Sequence, residues 1–162
     1  MDFTIRKATD KDYDGLSKLY NELNTLHSNA LPHIFITPSP TPQSLDYVRS
    51  IIEDKNAALF VAQSDGGIIG FIYAAIRESP DNPVSIKRSY VYIDDICVKQ
   101  EYRRSSVGKT LMESVEQWAL KKGIYQIELN VWDFKRRATA FFNSLGYTPS
   151  RHIMWKTVKK SE

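Results

Sequence analysis

The octapeptide RRSSVGKT, at residues 103–110, combines residue types that hold phosphate groups. It opens an amphipathic segment, and the first turn of a helix offers unpaired backbone N–H groups together with the positive end of the helix dipole. Such a helix start binds anions, and Arg103, Arg104 and Lys109 add formal positive charge around it. A P-loop for nucleoside triphosphates requires glycine at the position of Arg103. A diphosphate therefore suits this loop better than a triphosphate with magnesium.

The segments on either side of this loop are predicted to be a strand and a helix. The stretch SIKRSYVYIDDICV, which precedes it, is rich in β-branched and aromatic residues and reads as a long strand. After the loop, Ser105 or Ser106 can cap a helix whose apolar residues recur at helical spacing until Gly123 ends it. The candidate anion site is thus expected where a strand ends and a helix begins.

Strands and helices are also predicted along the rest of the chain. The turn Asp65-Gly66-Gly67 indicates a hairpin within 57–79, and the proline-rich stretch 28–43 reads as a structured loop. Further strands are predicted at 3–9, 124–132 and 151–158, and further helices at 9–27, 44–55 and 135–146. This order predicts one domain, residues 1–162, of the α/β (α+β) class, with helices on both faces of a central sheet.

The composition argues against several classes of function. Hydrophobic residues make up 42% of the 162 residues and the net charge is +3, a surplus too small to indicate a nucleic-acid partner. The single cysteine, Cys97, cannot form an internal disulfide and suits a reducing compartment. The three histidines share no metal-ligand spacing, so no metal site is predicted.

The sequence also predicts a cytoplasmic protein without a membrane partner. The N-terminal stretch MDFTIRKATDKD is charged from the start and has no apolar core of a signal peptide. The longest apolar run, at 67–76, is far shorter than the ~20 residues that cross a bilayer.

Three stretches together resemble the GNAT superfamily of acyl-CoA-dependent N-acetyltransferases. The stretch VYIDDICVKQEYRRSSVGKTLMESVEQWALKKG resembles its signature region, whose pyrophosphate loop reads Arg/Gln-x-x-Gly-x-Gly/Ala. That pattern falls on 103–108, with Ser106 in place of the first glycine. The stretch ATAFFNSLGY, at 138–147, is similar to a later segment of the family, and TIRKATDKDYDGLSKLY to its opening strand and helix. The resemblance covers nearly the whole chain.

This resemblance implies acetyl-CoA as co-substrate and a mixed, mostly antiparallel sheet that splays between its fourth and fifth strands. The pyrophosphate is expected on the loop, and the pantetheine along the backbone of the fourth strand. Lys135, where the family often has asparagine, either approaches a cofactor phosphate or lies at a solvated helix start. The implied cofactor-binding residues are Ile96, Cys97, Val98, Arg103, Arg104, Ser105, Ser106, Val107, Gly108, Lys109, Thr110, Lys135 and Phe142.

The resemblance also implies a carboxylate base near the end of the fourth strand, where this chain offers Asp94 and Asp95. Neighbouring side chains of a regular strand face opposite sides, so only one of them faces the cleft unless a bulge intervenes. Asp94 takes the place often held by a water-relaying glutamate and ranks first as the catalytic residue, with Asp95 second. The alternative is that one or both solvate the strand end or pair with Arg88 or Lys99.

One departure concerns the acid that protonates the leaving thiolate. The family commonly has tyrosine where this chain has Phe142, which has no proton to give. Water can suffice, because a thiol with a pKa near ~8.5 is a tolerable leaving group. Tyr102 or Tyr147 is the other option.

The predicted function is the transfer of an acetyl group to an amine. The acceptor is either a small cationic amine or an amine of a protein. Phe142 keeps a second hypothesis open, a non-catalytic acyl-CoA-binding regulatory module. A nucleic-acid binder is the weakest candidate given the net charge. Superfamily members are often dimers, so a homodimer is compatible with the resemblance, and the sequence does not fix the oligomeric state.

Overall fold

The computed structural model of the chain describes residues 2–39 and 43–158. The strands in this part are β1 (Thr4–Lys7), β2 (Ala57–Ser64), β3 (Gly67–Glu78), β4 (Ser89–Val98) and β5 (Ile127–Leu129). The α-helices are α1 (Tyr13–Ala30), α2 (Leu45–Glu53), α3 (Val107–Lys121) and α4 (Arg136–Ser144). The chain forms two compact units, Met1–Asn130 and Val131–Glu162, and the sheet belongs to the first.

The sheet has the strand order β1-β2-β3-β4-β5. The first three pairs are antiparallel, and β4 and β5 run parallel. The hairpin between β2 and β3 turns where the sequence predicted it, and Gly67 takes a φ of 101°, a conformation open to glycine at little cost. The predicted mixed, mostly antiparallel sheet is confirmed.

The pairing between β4 and β5 is short. Val91–Ile93 of β4 pair with Ile127–Leu129, whereas β4 continues to Val98. Within the described residues, the last half of β4 therefore has a strand partner on the β3 side only. This loss of pairing is the predicted separation between the fourth and fifth strands.

Helices cover both faces of the sheet, as predicted. On one face, α1 and α2 bury an apolar cluster against β2, β3 and β4. Tyr20 stacks on Phe71 with a ring-centroid distance of 4.4 Å. The buried members of this cluster are Ala8, Leu16, Leu19, Tyr20, Leu23, Val48, Ile51, Leu59, Val61, Ile68, Phe71 and Cys97.

Helix α3 covers the other face. Its buried residues follow the helical spacing seen in the sequence and include Val107, Leu111, Val115 and Trp118. The helix packs so close to β3 that a Cβ added at Gly70 would lie 3.4 Å from the side chains of both Val107 and Leu111, and 3.0 Å from the Cys97 carbonyl oxygen of β4. Glycine at this position therefore lets α3 and β4 both approach β3 closely.

Two predicted strands differ from the structure. The strand expected at 124–132 is confined to β5, and the strand expected at 151–158 is wrong, because those residues are irregular. The apolar side chains of that last segment, such as Ile153 and Met154, are exposed, so its pattern does not reflect one buried face. The predicted loop 28–43 begins later, after Ala30, and its residues 40–42 lie outside the described part.

Candidate active site

A β-bulge brings both candidate carboxylates to one face of the sheet. Tyr73 of β3 pairs with Asp95 of β4, and the next residue of β3, Ala74, pairs with Ile93. Asp94 is thus the extra residue of the bulge and lies opposite no partner. The strict alternation that would have sent neighbouring side chains to opposite faces is interrupted here.

Asp94 is held on this face by Arg77 of β3. The guanidinium Nη2 of Arg77 donates a hydrogen bond to Asp94 Oδ1, and the same guanidinium lies 3.9 Å above the ring centre of Tyr92. The partner of Asp94 is therefore neither Arg88 nor Lys99, the two residues suggested by the sequence. The second oxygen, Oδ2, is buried without a hydrogen-bond partner among the described residues.

Burial raises the pKa of the Asp94 carboxyl above its ordinary value, although the charge and hydrogen bond of Arg77 oppose this effect. The side chain as a whole is 22% exposed, although Oδ2 itself is buried. A carboxylate with a raised pKa is a stronger base than an ordinary aspartate.

Three tyrosines surround the carboxylates on the face covered by α1 and α2. Tyr20 comes from α1, Tyr47 from α2 and Tyr73 from β3. Burial and the nearby charges of Asp94 and Asp95 raise the pKa of each hydroxyl, that of Tyr47 to about 12. All three hydroxyls therefore stay protonated at neutral pH and act as neutral dipoles beside the carboxylates.

The hydroxyl group of Tyr20 is buried and, among the described residues, has no hydrogen-bond partner. An unmade hydrogen bond at a buried group costs stability, so removing the group should not harm the fold. We expect Tyr20→Phe to leave the melting temperature unchanged or to raise the free energy of unfolding by about 1 kcal/mol. The measurement is thermal or denaturant unfolding of the purified protein.

Tyr20→Leu is the matched control for this prediction. It removes the ring that stacks on Phe71 and should lower the free energy of unfolding by about 2 kcal/mol or more, as large-to-small core substitutions do. A clearly lower stability of Tyr20→Phe would mean that the hydroxyl has a bound partner.

The second half of β4 pairs with β3 but not with β5, so every other residue directs its backbone groups away from β3 to an open side. The N–H of Lys99 donates to the carbonyl of Ile69, so by alternation the N–H and C=O groups of Cys97 also face β3. Those of Ile96 and Val98 face the open side. The carbonyl of Val98 accepts a hydrogen bond from Arg103 Nε there, at 2.9 Å. The geometry thus leaves the N–H and C=O groups of Ile96 and the N–H of Val98 for backbone pairing with a ligand, while the thiol of Cys97 is buried in the core.

The start of α3 follows this strand after one 3-10 turn, Gln100–Tyr102. Thr110 is the residue whose N–H donates to the carbonyl of Ser106, so the N–H groups of Val107, Gly108 and Lys109 precede the first helical hydrogen bond. The first turn carries no acidic residue and Ser106 makes no side-chain cap, while the Ser105 hydroxyl accepts a long hydrogen bond of 3.4 Å from the Val107 N–H. Ser106 has a helical φ of −73°, so the family's glycine is not required there.

The two arginines before α3 differ in their surroundings. Arg103 is held by the Val98 carbonyl and by Glu22 of α1, with 2.5 Å between Nη2 and Oε1. Arg104 is exposed and takes a φ of 62°, which is uncommon for a residue with a side chain. Arg104 and Lys109 therefore supply positive charge that faces solvent beside the helix start.

The remaining candidates lie in the second unit, apart from Tyr102. Lys135 is the N-cap of α4, and Phe142 is buried, with its ring edge-on to Tyr147 at 5.9 Å. The hydroxyl of Tyr102 lies near the turn at Gly66, which is separated from Tyr73 by about 20 Å of strand β3. That position argues against Tyr102 as the acid beside Asp94.

In residues 2–39 and 43–158, no group of His, Cys, Asp and Glu side chains is placed to hold a metal ion. None of the helices in this same part has the length and apolar character to span a bilayer.

The sequence profile of the Acetyltransferase (GNAT) family matches residues 18–147. This chain belongs to the GNAT family. Curated relatives include the probable N-acetyltransferase camello of Xenopus tropicalis, 26% identical over 82% of this chain and 53% of the relative. The L-ornithine N5-acetyltransferase of Arabidopsis thaliana is 29% identical over 68% of this chain and 54% of the relative. The chain spans about half the length of these two GNAT relatives.

Solved structures show the same fold. A mutant of the BH1408 protein from Bacillus halodurans superposes with a TM-score of 0.90, at 24% identity over 96% of this chain and 99% of that one. An aminoglycoside N-acetyltransferase solved in complex with CoA gives a TM-score of 0.72, at 20% identity over 97% of this chain and all of that one. These likenesses establish the GNAT fold of this chain.

Sequence reasoning missed Arg77 and the three tyrosines of this candidate site, Tyr20, Tyr47 and Tyr73. Arg77 carries the charge at the end of the apolar run GIIGFIYAAIR, and Tyr20 interrupts the leucines of α1. Arg77 could have been found from its spacing. It lies four residues after Tyr73, so on a regular strand it shares the face of Tyr73, next to the strand that carries Asp94 and Asp95. Tyr20 gave no such signal, because an aromatic residue on an apolar helix face usually belongs to the core.

Proposed function

We propose that the protein transfers the acetyl group of acetyl-CoA to the amine of a cationic acceptor. The observation that carries this proposal is one continuous path along unit Met1–Asn130. It runs from the N–H groups at the start of α3, along the half of β4 that β5 does not pair with, to the carboxylate of Asp94. The family membership supports the same reaction.

The residues along this path fit acetyl-CoA. The N–H groups at the start of α3 bind the pyrophosphate, since the first turn holds no competing acid and Arg104 and Lys109 add positive charge. The outward N–H and C=O groups of Ile96 and the N–H of Val98 pair with the amide groups of the pantetheine, as an added strand does. The thioester then lies near the bulge.

The two carboxylates supply the chemistry on the acceptor side. Asp94 accepts the proton of the attacking amine, directly or through one water, and Asp95 favours a positively charged acceptor. The amine nitrogen forms the new bond to the acetyl carbon, the carbon–sulfur bond breaks, and water protonates the thiolate. Related proteins are named for acceptors of this class: ornithine, thialysine and aminoglycosides.

A panel of amines with acetyl-CoA tests the proposal. We expect free thiol to appear with at least one cationic amine, together with the acetylated product by mass spectrometry. Neutral or acidic amines should react more slowly, because Asp94 and Asp95 attract cations. Binding of acetyl-CoA without thiol release from any amine would support the non-catalytic module instead.

A further inference from the structure

The face of the sheet that carries Tyr73, Asp94 and Asp95 also carries Arg77, which keeps open N–H donors although it pairs with Asp94. Arg77 donates to Asp94 through Nη2, and in the described part of the chain its other N–H groups find no acceptor. Its side chain is 44% exposed, so these donors are open to a solute. A guanidinium has five N–H donors in a planar fork, which matches the geometry of a carboxylate.

The orientation of this guanidinium is fixed by its neighbours. Tyr92 lies under its plane at 3.9 Å, and Asp94 holds one edge. By strand alternation Tyr73, Ala75 and Arg77 share one face of β3, and Ala75 is small and only partly buried. In the described chain, no large side chain of β3 therefore covers this face between Tyr73 and Arg77.

Arg88, a second arginine on this face, differs from Arg77 in the number of its N–H donors that are occupied. Arg88 lies 4.7 Å above the ring centre of Tyr90, but Glu128 and Gln126 occupy its donors at 2.6 and 2.9 Å. Arg88 thus has its charge balanced within the protein. The open donors of Arg77 mark it as the arginine of this pair that is available to a ligand.

We propose that Arg77 binds a carboxylate of the acceptor, so that the acceptor is an amino acid with a side-chain amine rather than a polyamine. This inference rests on the acetyl transfer proposed above and specifies its acceptor. An amine attracted by Asp94 and Asp95 and a carboxylate attracted by Arg77 must belong to one molecule that carries both charges. A polyamine has no group that can accept hydrogen bonds from the open N–H donors of Arg77.

Two matched pairs of acceptors test this inference, L-ornithine against putrescine and L-lysine against cadaverine. Within each pair the terminal amine is the same and only one member has the carboxylate. We expect the wild-type kcat/KM to be at least ~10-fold higher for the amino acid of a pair, because a charge-assisted hydrogen bond at an open site has about that effect. Arg77→Gln should remove this preference, mainly through KM.

The ratio of the two kcat/KM values within a pair distinguishes recognition of the carboxylate by Arg77 from an indirect effect of Arg77 on Asp94. Loss of Arg77 also changes the surroundings of the base, which alters both members of a pair alike and cancels in the ratio. Arg77→Lys keeps the charge without the fork and should retain part of the preference. Arg88→Gln is the control and should leave the ratio unchanged.

Equal kcat/KM values within each pair in the wild type, or an equal loss for both members in Arg77→Gln, would overturn the inference. Calorimetric titration of L-ornithine in the presence of CoA gives a readout that needs no turnover. Binding that depends on Arg77 without thiol release supports the carboxylate site and refutes the proposed transfer. Thiol release with polyamines but not with amino acids supports the transfer and refutes the carboxylate site.

Discussion

Replacing Asp94 by asparagine should lower kcat for the amine acceptor by ~10²-fold or more, which is the usual contribution of a general base. Asparagine keeps an oxygen that can accept the hydrogen bond from Arg77 but cannot take a proton. The shape of the bulge should therefore persist while the proton acceptor is lost. Initial rates of thiol release with saturating acetyl-CoA provide the measurement.

The pH profile sharpens this prediction. Because burial raises the pKa of Asp94, the rate should rise with pH along a limb whose midpoint lies above the ordinary aspartate value of ~3.9. This limb should be absent in Asp94→Asn. The melting-temperature shift produced by acetyl-CoA should match that of the wild type, since the start of α3 is unchanged.

Asp95→Asn is the matched variant and should reduce turnover less. Its carboxylate lies on the same face as Asp94, opposite Tyr73, and is proposed to attract the acceptor rather than to take its proton. The expected effect is therefore a higher KM with a smaller change in kcat. A greater loss of kcat in Asp95→Asn than in Asp94→Asn would assign the base to Asp95.

Gly108→Glu should abolish the rise in melting temperature that acetyl-CoA produces in the wild type. A ligand that binds the folded state raises stability in proportion to the logarithm of its concentration over Kd, so loss of binding removes the shift. The substitution places bulk and negative charge in a first turn that has no acidic residue. Both properties oppose a pyrophosphate at the N–H groups there.

Two controls isolate the cause. Gly108→Gln has similar bulk without the charge and should retain more of the shift than Gly108→Glu. Lys121→Glu brings the same negative charge to the last turn of the same helix and should leave the shift intact. ATP with magnesium should shift the wild type much less than acetyl-CoA does. A normal shift in folded Gly108→Glu would refute the assignment of the loop.

Most of the order of elements, including the strand and helix on either side of residues 103–110, could be predicted from the sequence because it depends on local signals. The spacing of the leucines in α1, the hairpin turn, and the spacing of the apolar residues in α3 can each be recognised within one short segment. The resemblance to the GNAT family then gave the sheet and its opening between β4 and β5, which no single segment contains.

The pairing of Asp94 with Arg77 could not be predicted from such local signals. It depends on the register between β3 and β4, and the bulge shifts that register at Tyr73 and Ala74. The sequence does hold a trace of the bulge. Residues that share the α3 face of β4 are Val91, Ile93 and Ile96, spaced by two and then by three, so the alternation slips by one residue at the carboxylates.

The predicted strand at 151–158 failed for a different reason. Its residues have strand propensity, but propensity in a strand expresses packing against neighbours, and this segment has no strand partner among the described residues.

The bulge separates the residues that pair in the sheet from the residue that is proposed to accept a proton. Ile93 and Asp95 lie opposite consecutive residues of β3, so the ladder is complete on both sides of Asp94 and does not depend on it. Asp94 is in this sense an insertion that the architecture tolerates. Another proton acceptor can therefore replace the aspartate at this position without a change in the pairing of β3 and β4, because the residues before and after it keep their partners.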